Sequence, residues 1–156
     1  PWQRRTKLEA NVDEQEIQTP SARVLLVDVV GELGAWWGTA QIAFVGGSLG
    51  DRGGQNMIEP AAYGAAVCFG PNTRNFRDIV AAMLARKAAT VVDDGQHLAR
   101  FVRHCLERPD EAFAQGQRAR ALVLGQVGAT QRTFELLDTL VGGTSDTSFT
   151  PARAAA

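Results

Sequence analysis

The chain has 156 residues, a formal net charge of −1 at pH 7, and 45% hydrophobic and 21% charged residues. This length fits one domain with a real core, since a chain of this size buries roughly two thirds of its unfolded surface. The charge balance excludes the basic field that attracts nucleic acid, and no stretch approaches the roughly 20 apolar residues of a membrane helix. Its two cysteines, Cys68 and Cys105, lack nearby histidines at metal-ligand spacing, so we interpret them as buried small hydrophobes.

The first half of the chain alternates predicted strands with short helices. Residues 1–20 are polar and weakly patterned, which predicts an edge strand or a loop. The small basic cluster of Arg4, Arg5 and Lys7 is interpreted as a solvated surface. Near-continuous aliphatic runs, typical of buried parallel strands, cover residues 23–30, 41–45 and 66–69. Short helices are predicted between these strands, over residues 31–40 and 56–63.

The second half is dominated by apolar residues at helical spacing. This spacing predicts helices over residues 75–89, 94–107, 110–124 and 130–140. Asn75 is expected to cap the first of them, and residues 90–92 predict a fourth strand. The small, polar tail of residues 142–156 is predicted to be disordered. Because strands and helices alternate, the predicted fold class is α/β, a Rossmann-like parallel sheet with helices on both faces.

A glycine-rich loop follows the strand at residues 41–45 and carries the candidate site. Gly46, Gly47 and Ser48 would offer backbone N–H groups and a hydroxyl to a phosphate or a sugar carboxylate. A tight turn without a ligand would explain the same residues equally well. Open α/β sheets bind nucleotides at this edge, and a helix N-terminus just beyond it favours an anion.

The order of motifs along this region resembles the nucleotide-binding half of 3-deoxy-D-manno-octulosonic acid (Kdo) transferases, which are GT-B glycosyltransferases. The motifs are Gly31-Glu32-Leu33, Gly46-Gly47-Ser48, Gly53-Gly54, Asn56, Glu59-Pro60, Gly70-Pro71 and Asn75-Phe76. The resemblance covers residues 23–140 and implies a partial C-terminal donor-nucleotide-binding domain over residues 1–141, one half of a GT-B fold truncated at its N-terminal end. Gln55 stands where the family usually has His; glutamine can donate a hydrogen bond but cannot titrate.

The resemblance implies binding residues in this chain, but no catalytic residue and no metal ligand. The implied contacts line the nucleotide pocket and are Glu32, Gly46, Gly47, Ser48, Gly54, Gln55, Asn56 and Glu59. Glu59 is expected to accept hydrogen bonds from the ribose hydroxyls, with a solvated helix residue as the alternative. Glu32 either lines the pocket or interacts with a helix dipole, and Asn56 either caps a helix or touches the donor sugar. Arg52 either pairs with the anionic donor or is an ordinary surface residue.

For the whole enzyme, the resemblance implies transfer of Kdo from CMP-Kdo to a lipid A precursor in lipopolysaccharide biosynthesis, at the cytoplasmic face of the bacterial inner membrane. The catalytic carboxylate, the acceptor site and the membrane anchor are implied for the other half. We therefore expect a soluble domain that binds CMP-Kdo as donor substrate without a cofactor and is inactive alone. The start at Pro1 rather than Met fits a fragment. The alternatives are a GT-B domain for a UDP- or GDP-sugar and a non-catalytic Rossmann-like nucleotide-binding module.

Parallel strands gather their strand-to-helix loops at one edge of the sheet. We therefore expect the glycine loop and the first turn of the Glu59 helix to form one rim of a cleft there. Strands missing upstream would leave an exposed edge beside residues 23–30. Because unpaired edges invite pairing, we expect self-association through that edge or, alternatively, partial disorder near Pro1.

Overall fold

A computed structural model describes residues 1–7, 22–126 and 129–141. Its strands are β1 (Trp2–Arg4), β2 (Val24–Leu26), β3 (Ile42–Val45), β4 (Ala66–Phe69) and β5 (Ala89–Val91). Its α-helices are α1 (Leu33–Trp37), α2 (Ile58–Ala62), α3 (Arg77–Ala85), α4 (Gly95–Glu107), α5 (Pro109–Gln126) and α6 (Ala129–Val141). The elements predicted between residues 31 and 126 are all present, with ends shifted by a few residues. The predicted tail, residues 142–156, lies outside the described residues.

A three-stranded parallel sheet in the order β3-β4-β5 forms the centre of the molecule. Ile42 of β3 pairs with Ala66 of β4, and Val67 of β4 pairs with Ala89 of β5. All four residues of β4 are buried, as its uninterrupted apolar sequence predicts for a central strand. The carboxyl ends of β3 and β4 therefore lie side by side at one edge of the sheet.

Helices cover both faces of this sheet. On one face, Val67 and Phe69 belong to an apolar core that includes Met57, Met83 and Leu122. On the other face, the core comprises Ala66, Cys68, Val92, Phe101 and Cys105. Both cysteines are buried, as predicted, and burial raises the pKa of the Cys68 thiol to about 12. Helices on both faces of a parallel sheet confirm the predicted α/β fold class.

The predicted strand over residues 23–30 is wrong in length and in position. β2 has three residues and pairs in parallel with β1, forming a two-stranded sheet separate from β3-β4-β5. Val24 is 59% exposed and Leu26 47% exposed, so the aliphatic run is not a buried strand. Asp28 lies within the run, and its carboxylate accepts hydrogen bonds from Thr6 in the turn after β1. One edge of β2 is thus occupied by β1, and self-association through its other edge stays a prediction.

A close contact between α2 and α5 depends on two glycines. Gly64 follows α2 with a φ of +83°, in the left-handed region that favours glycine. Gly116 of α5 packs directly on the carbonyl of Gly64, and a Cβ at residue 116 would overlap that oxygen. The helix after the glycine loop is therefore held against α5 through backbone atoms.

Among the described residues, no helix has the length and apolar composition that a membrane span requires.

Candidate functional site

The glycine loop between β3 and α2 folds back on itself at the carboxyl edge of the sheet. The N–H of Gly54 donates to the carbonyl of Gly47, and the N–H of Gln55 donates to that of Gly46, both at 3.0 Å. Gly47 and Gly54 have φ angles of +71° and +83°, which explains the glycines at these two positions. The loop is thus a closed structure of defined shape rather than an open linker.

Ser48 joins this loop to the end of β4. Its buried hydroxyl donates to the carbonyl of Val45 and accepts from the N–H of Gly70 at 2.7 Å. Its carbonyl accepts from the N–H of Asn72 at 2.9 Å. Gly70 packs so closely on the Ser48 backbone that a Cβ would clash with it. The Ser48 hydroxyl, predicted to face a ligand, is therefore engaged inside the protein.

Asn75 binds the glycine loop through its side chain. The prediction that Asn75 caps a helix is therefore wrong. Its side-chain amide donates to the carbonyls of Arg52 at 3.2 Å and Gly54 at 3.5 Å. Its backbone N–H donates to the carbonyl of Gly53 at 3.2 Å. A 3-10 turn over Arg74–Phe76 delays the start of α3 to Arg77, and no side chain caps that helix. The amide side chain is thus used across two loops instead of along its own helix.

Glu59 stands exposed in the first turn of α2, with both carboxylate oxygens positioned by neighbours. Oε1 accepts from the side-chain amide of Asn56 at 2.9 Å, and Oε2 accepts from the indole N–H of Trp37 at 3.3 Å. Asn56 in turn accepts from the N–H of Ile58 at 3.0 Å, so it satisfies a backbone donor at the start of the helix. Each carboxylate oxygen retains acceptor capacity for a ligand. The structure therefore brings two predicted site residues, Asn56 and Glu59, into direct contact.

Glu32 is instead engaged by the N-terminal segment. Arg5 forms two hydrogen bonds with its carboxylate, at 2.9 Å and 3.0 Å. The Arg5 side chain is only 19% exposed, so the interpretation of the basic cluster as a solvated surface is wrong for this residue.

A second carboxylate, that of Asp28, accepts hydrogen bonds from Thr6. The backbone N–H of Thr6, with further contributions from its hydroxyl and from Arg4, holds the pKa of Asp28 below its usual value.

Asp51, Arg52 and Gln55 are the remaining polar side chains of the loop, and all three are exposed. No ion pair joins Arg52 to any residue within the described ranges. The glycine loop, the first turn of α2 and the loop after β4 are joined by hydrogen bonds at one edge of the sheet. They form the rim that the sequence predicted.

A cavity of about 290 Å³ lies on this rim, after β4. It is lined by Pro71, Asn72, Thr73, Arg74 and Arg77. Sequence reasoning did not single out Arg74 and Arg77, which line this cavity. The available signal was a pair of arginines three residues apart directly after the Gly70-Pro71 loop.

In the part of the chain that the structure describes, no three His, Cys, Asp or Glu side chains are grouped as metal ligands would be. The sequence expectation of a metal-free, cofactor-free site remains a prediction.

Comparison with known proteins places these features in context. The chain is 37% identical over 123 residues to the 3-deoxy-D-manno-octulosonic acid transferase of Bordetella pertussis, and 32% identical to that of Haemophilus influenzae. These matches cover 79% and 78% of this chain. They cover 29% of each relative, so the chain spans less than a third of their length. No family model matches the chain.

A solved structure shares the fold. It is the crystal structure of the C-terminal CMP-Kdo binding domain of WaaA from Acinetobacter baumannii, with a TM-score of 0.63 and 31% identity. The match covers 76% of this chain and 60% of that domain.

Proposed function

The chain is a homologue of the 3-deoxy-D-manno-octulosonic acid transferases over the segment it shares with them, and on this premise we propose that it binds CMP-Kdo for the transfer of Kdo. The acceptor of that reaction would be a lipid A precursor. The catalytic carboxylate, the acceptor site and the attachment to the inner membrane would belong to the part of the enzyme outside this chain. This chain would supply the donor site at the carboxyl edge of its sheet.

The observation that carries the proposal is the position of Glu59. A ribose presents two neighbouring hydroxyl donors, and a carboxylate can accept from both at once. Trp37 and Asn56 each bind one Glu59 oxygen, which orients the carboxylate at the rim beside the glycine loop. Side chains held by neighbours before binding lose little freedom when the ligand arrives. Glu59 is thus a preorganised acceptor, open to solvent.

The phosphate of the donor would lie next to the ribose, along the glycine loop. The N-terminus of α2 offers few free N–H donors to this phosphate, since the helix has five residues and the N–H of Ile58 already donates to Asn56. The carboxylate of Glu59 in the first helical turn also disfavours an anion there. The sequence argument for an anion at this helix N-terminus is therefore weakened by the short, acidic helix. Cationic side chains and loop N–H groups would be the compensating donors.

The test replaces Glu59 by Gln, which keeps the shape but removes the charge and one acceptor. Hydrogen bonds to a charged group contribute roughly 1.5–3 kcal/mol, so the affinity for CMP should fall by about one to two decades. Calorimetry on the full chain measures CMP binding, with thermal melts to show unchanged folding. Glu107→Gln, at an exposed position on α4, is the matched control and should bind like the wild type.

Two ligand series separate the alternatives. CMP should bind more tightly than UDP or NAD; a preference for UDP would indicate a different sugar-nucleotide donor, and equal weak binding would indicate a general nucleotide module. Glu59→Gln should have little effect on 2′,3′-dideoxy-CMP, because that ligand lacks both hydroxyls. An equal loss for CMP and its dideoxy form would place the glutamate away from the ribose and contradict the proposal.

A further inference from the structure

The cavity after β4 has a cationic wall. Arg74 and Arg77 line it together with Pro71, Asn72 and Thr73, and its volume is about 290 Å³. Both arginines are exposed, and neither forms an ion pair with any residue the structure describes. The one acidic side chain in the first turn of α3 is Asp78, which is exposed and adjacent to Arg77 in sequence. The two guanidinium groups therefore give this small cavity an excess of positive charge.

The glycine loop packs against the part of the Arg74 side chain nearest the backbone. Gly53 adopts a φ of +88°, and a Cβ there would stand 2.8 Å from Cγ of Arg74. The aliphatic stem of Arg74 therefore lies directly against the Gly53 backbone. The next residue, Asn75, anchors the same turn through its hydrogen bonds to Arg52 and Gly53. The cavity wall and the glycine loop are thus one connected unit.

The glycine loop connects the two parts of the rim. Glu59 follows the loop, in the first turn of α2, and the cavity is lined by the segment after β4. The N–H groups of Gly70 and Asn72 in that segment donate to Ser48 of the loop. A nucleotide with its ribose at Glu59 and its phosphate along the loop would direct the group beyond the phosphate towards the cavity.

We propose that Arg74 and Arg77 bind the carboxylate of the donor sugar. This inference rests on the proposed function, which makes that sugar an acidic one. The planar fork of a guanidinium matches the two oxygens of a carboxylate and gives short, charge-assisted hydrogen bonds. A cavity near 300 Å³ is at the small end of ligand pockets, which suits one sugar rather than a whole nucleotide. The two arginines would thus select acidic sugars over neutral ones.

The experiment compares CMP and CMP-Kdo on the full chain. The variants are Arg74→Gln/Arg77→Gln, its charge-preserving counterpart Arg74→Lys/Arg77→Lys, and Arg103→Gln as a control at an exposed position on α4. Wild type should bind CMP-Kdo more tightly than CMP. The glutamine pair should lose roughly 10- to 100-fold in CMP-Kdo affinity while its CMP affinity stays within about twofold, and the lysine pair should fall between. The control should match the wild type, with thermal melts confirming folding in all four proteins.

The outcomes distinguish this inference from the proposed function. If the glutamine pair loses CMP affinity as strongly as CMP-Kdo affinity, the arginines bind the phosphate and the carboxylate assignment is overturned. Unchanged CMP-Kdo affinity would overturn it as well, while leaving donor binding intact. A wild-type chain that binds neither ligand would overturn the proposed function and this inference together.

Discussion

Asp28 is one of two carboxylates, with Glu32, that connect the N-terminal segment to the rest of the chain. Its carboxylate accepts from the backbone N–H of Thr6 at 3.1 Å and from the Thr6 hydroxyl at 2.9 Å. The N–H contact is the main cause that lowers the pKa of Asp28 below 3.8, its value without these partners. A group with a lowered folded pKa stabilises the structure above its unfolded pKa and loses that contribution as the pH falls through the folded value.

We therefore expect the contact between Thr6 and Asp28 to be complete at neutral pH and to weaken only below about pH 4. The chemical shift of the Thr6 N–H, followed from pH 7 to pH 2, measures it. Asp28→Asn removes the titrating group, so its profile should be flat in this range. A transition well above pH 5, or an unchanged transition in Asp28→Asn, would contradict the assignment.

At this scale the sequence indicates only those contacts whose partners are close along the chain. Asn56 and Glu59 are three residues apart, and their motif predicted a shared site. The partners of Glu32 and Ser48 are 27 and 22 residues away in sequence, Arg5 and Gly70, and nothing local indicates those pairs. Ser48 is predicted to offer its hydroxyl to a ligand because it lies in a glycine-rich loop at the carboxyl end of a strand. Its hydroxyl is instead held inside the protein by hydrogen bonds with Val45 and Gly70.

At the scale of elements, α5 contains two glycines with opposite environments. Gly116 is buried against the Gly64 carbonyl, whereas a Cβ at Gly125 would meet nothing within 4 Å. Gly116→Ala should force α2 and α5 apart and destabilise the protein by about 1–3 kcal/mol. Gly125→Ala should stabilise it by up to about 1 kcal/mol, since alanine favours the helix, and by less if the helix end frays.

Urea denaturation measures both variants, with the slope of each transition checked against the wild type. Because the two substitutions add the same methyl group to the same helix, their difference isolates the contact with Gly64. Equal shifts in midpoint for both variants would mean that the contact between α2 and α5 adapts freely.

At this scale, a strand was predictable where an apolar run was compatible with only one secondary structure and one position in the sheet. The run over residues 66–69 is fully apolar, followed by glycine, and forms the central strand. The run over residues 23–30 has a similar composition but forms a short, half-exposed strand on a separate sheet. Composition indicates that a segment can be a strand; it does not indicate which strand it pairs with. That choice depends on β1, whose sequence is too short and polar to predict a partner.

At the scale of the whole molecule, the candidate site is formed where two strand ends are tied together. Ser48 connects them through its hydroxyl and its carbonyl, and Asn75 connects the turn before α3 to the glycine loop. A ligand that contacts either loop should therefore stabilise both. We expect CMP-Kdo to slow amide exchange together in residues 46–56 and 70–77 of the full chain, with α4 as the internal reference that stays unchanged.

Ser48→Ala tests this coupling. It leaves the N–H of Gly70 and the carbonyl of Val45 buried without their partner, which costs roughly 1–3 kcal/mol for each unsatisfied group. Alanine fits the space, so the fold should persist at lower stability. The expected result is that CMP-Kdo still protects the loop it contacts most, while the other loop responds less than in the wild type. Equal protection of both loops in the variant would show that the two strand ends are coupled through the ligand itself rather than through Ser48.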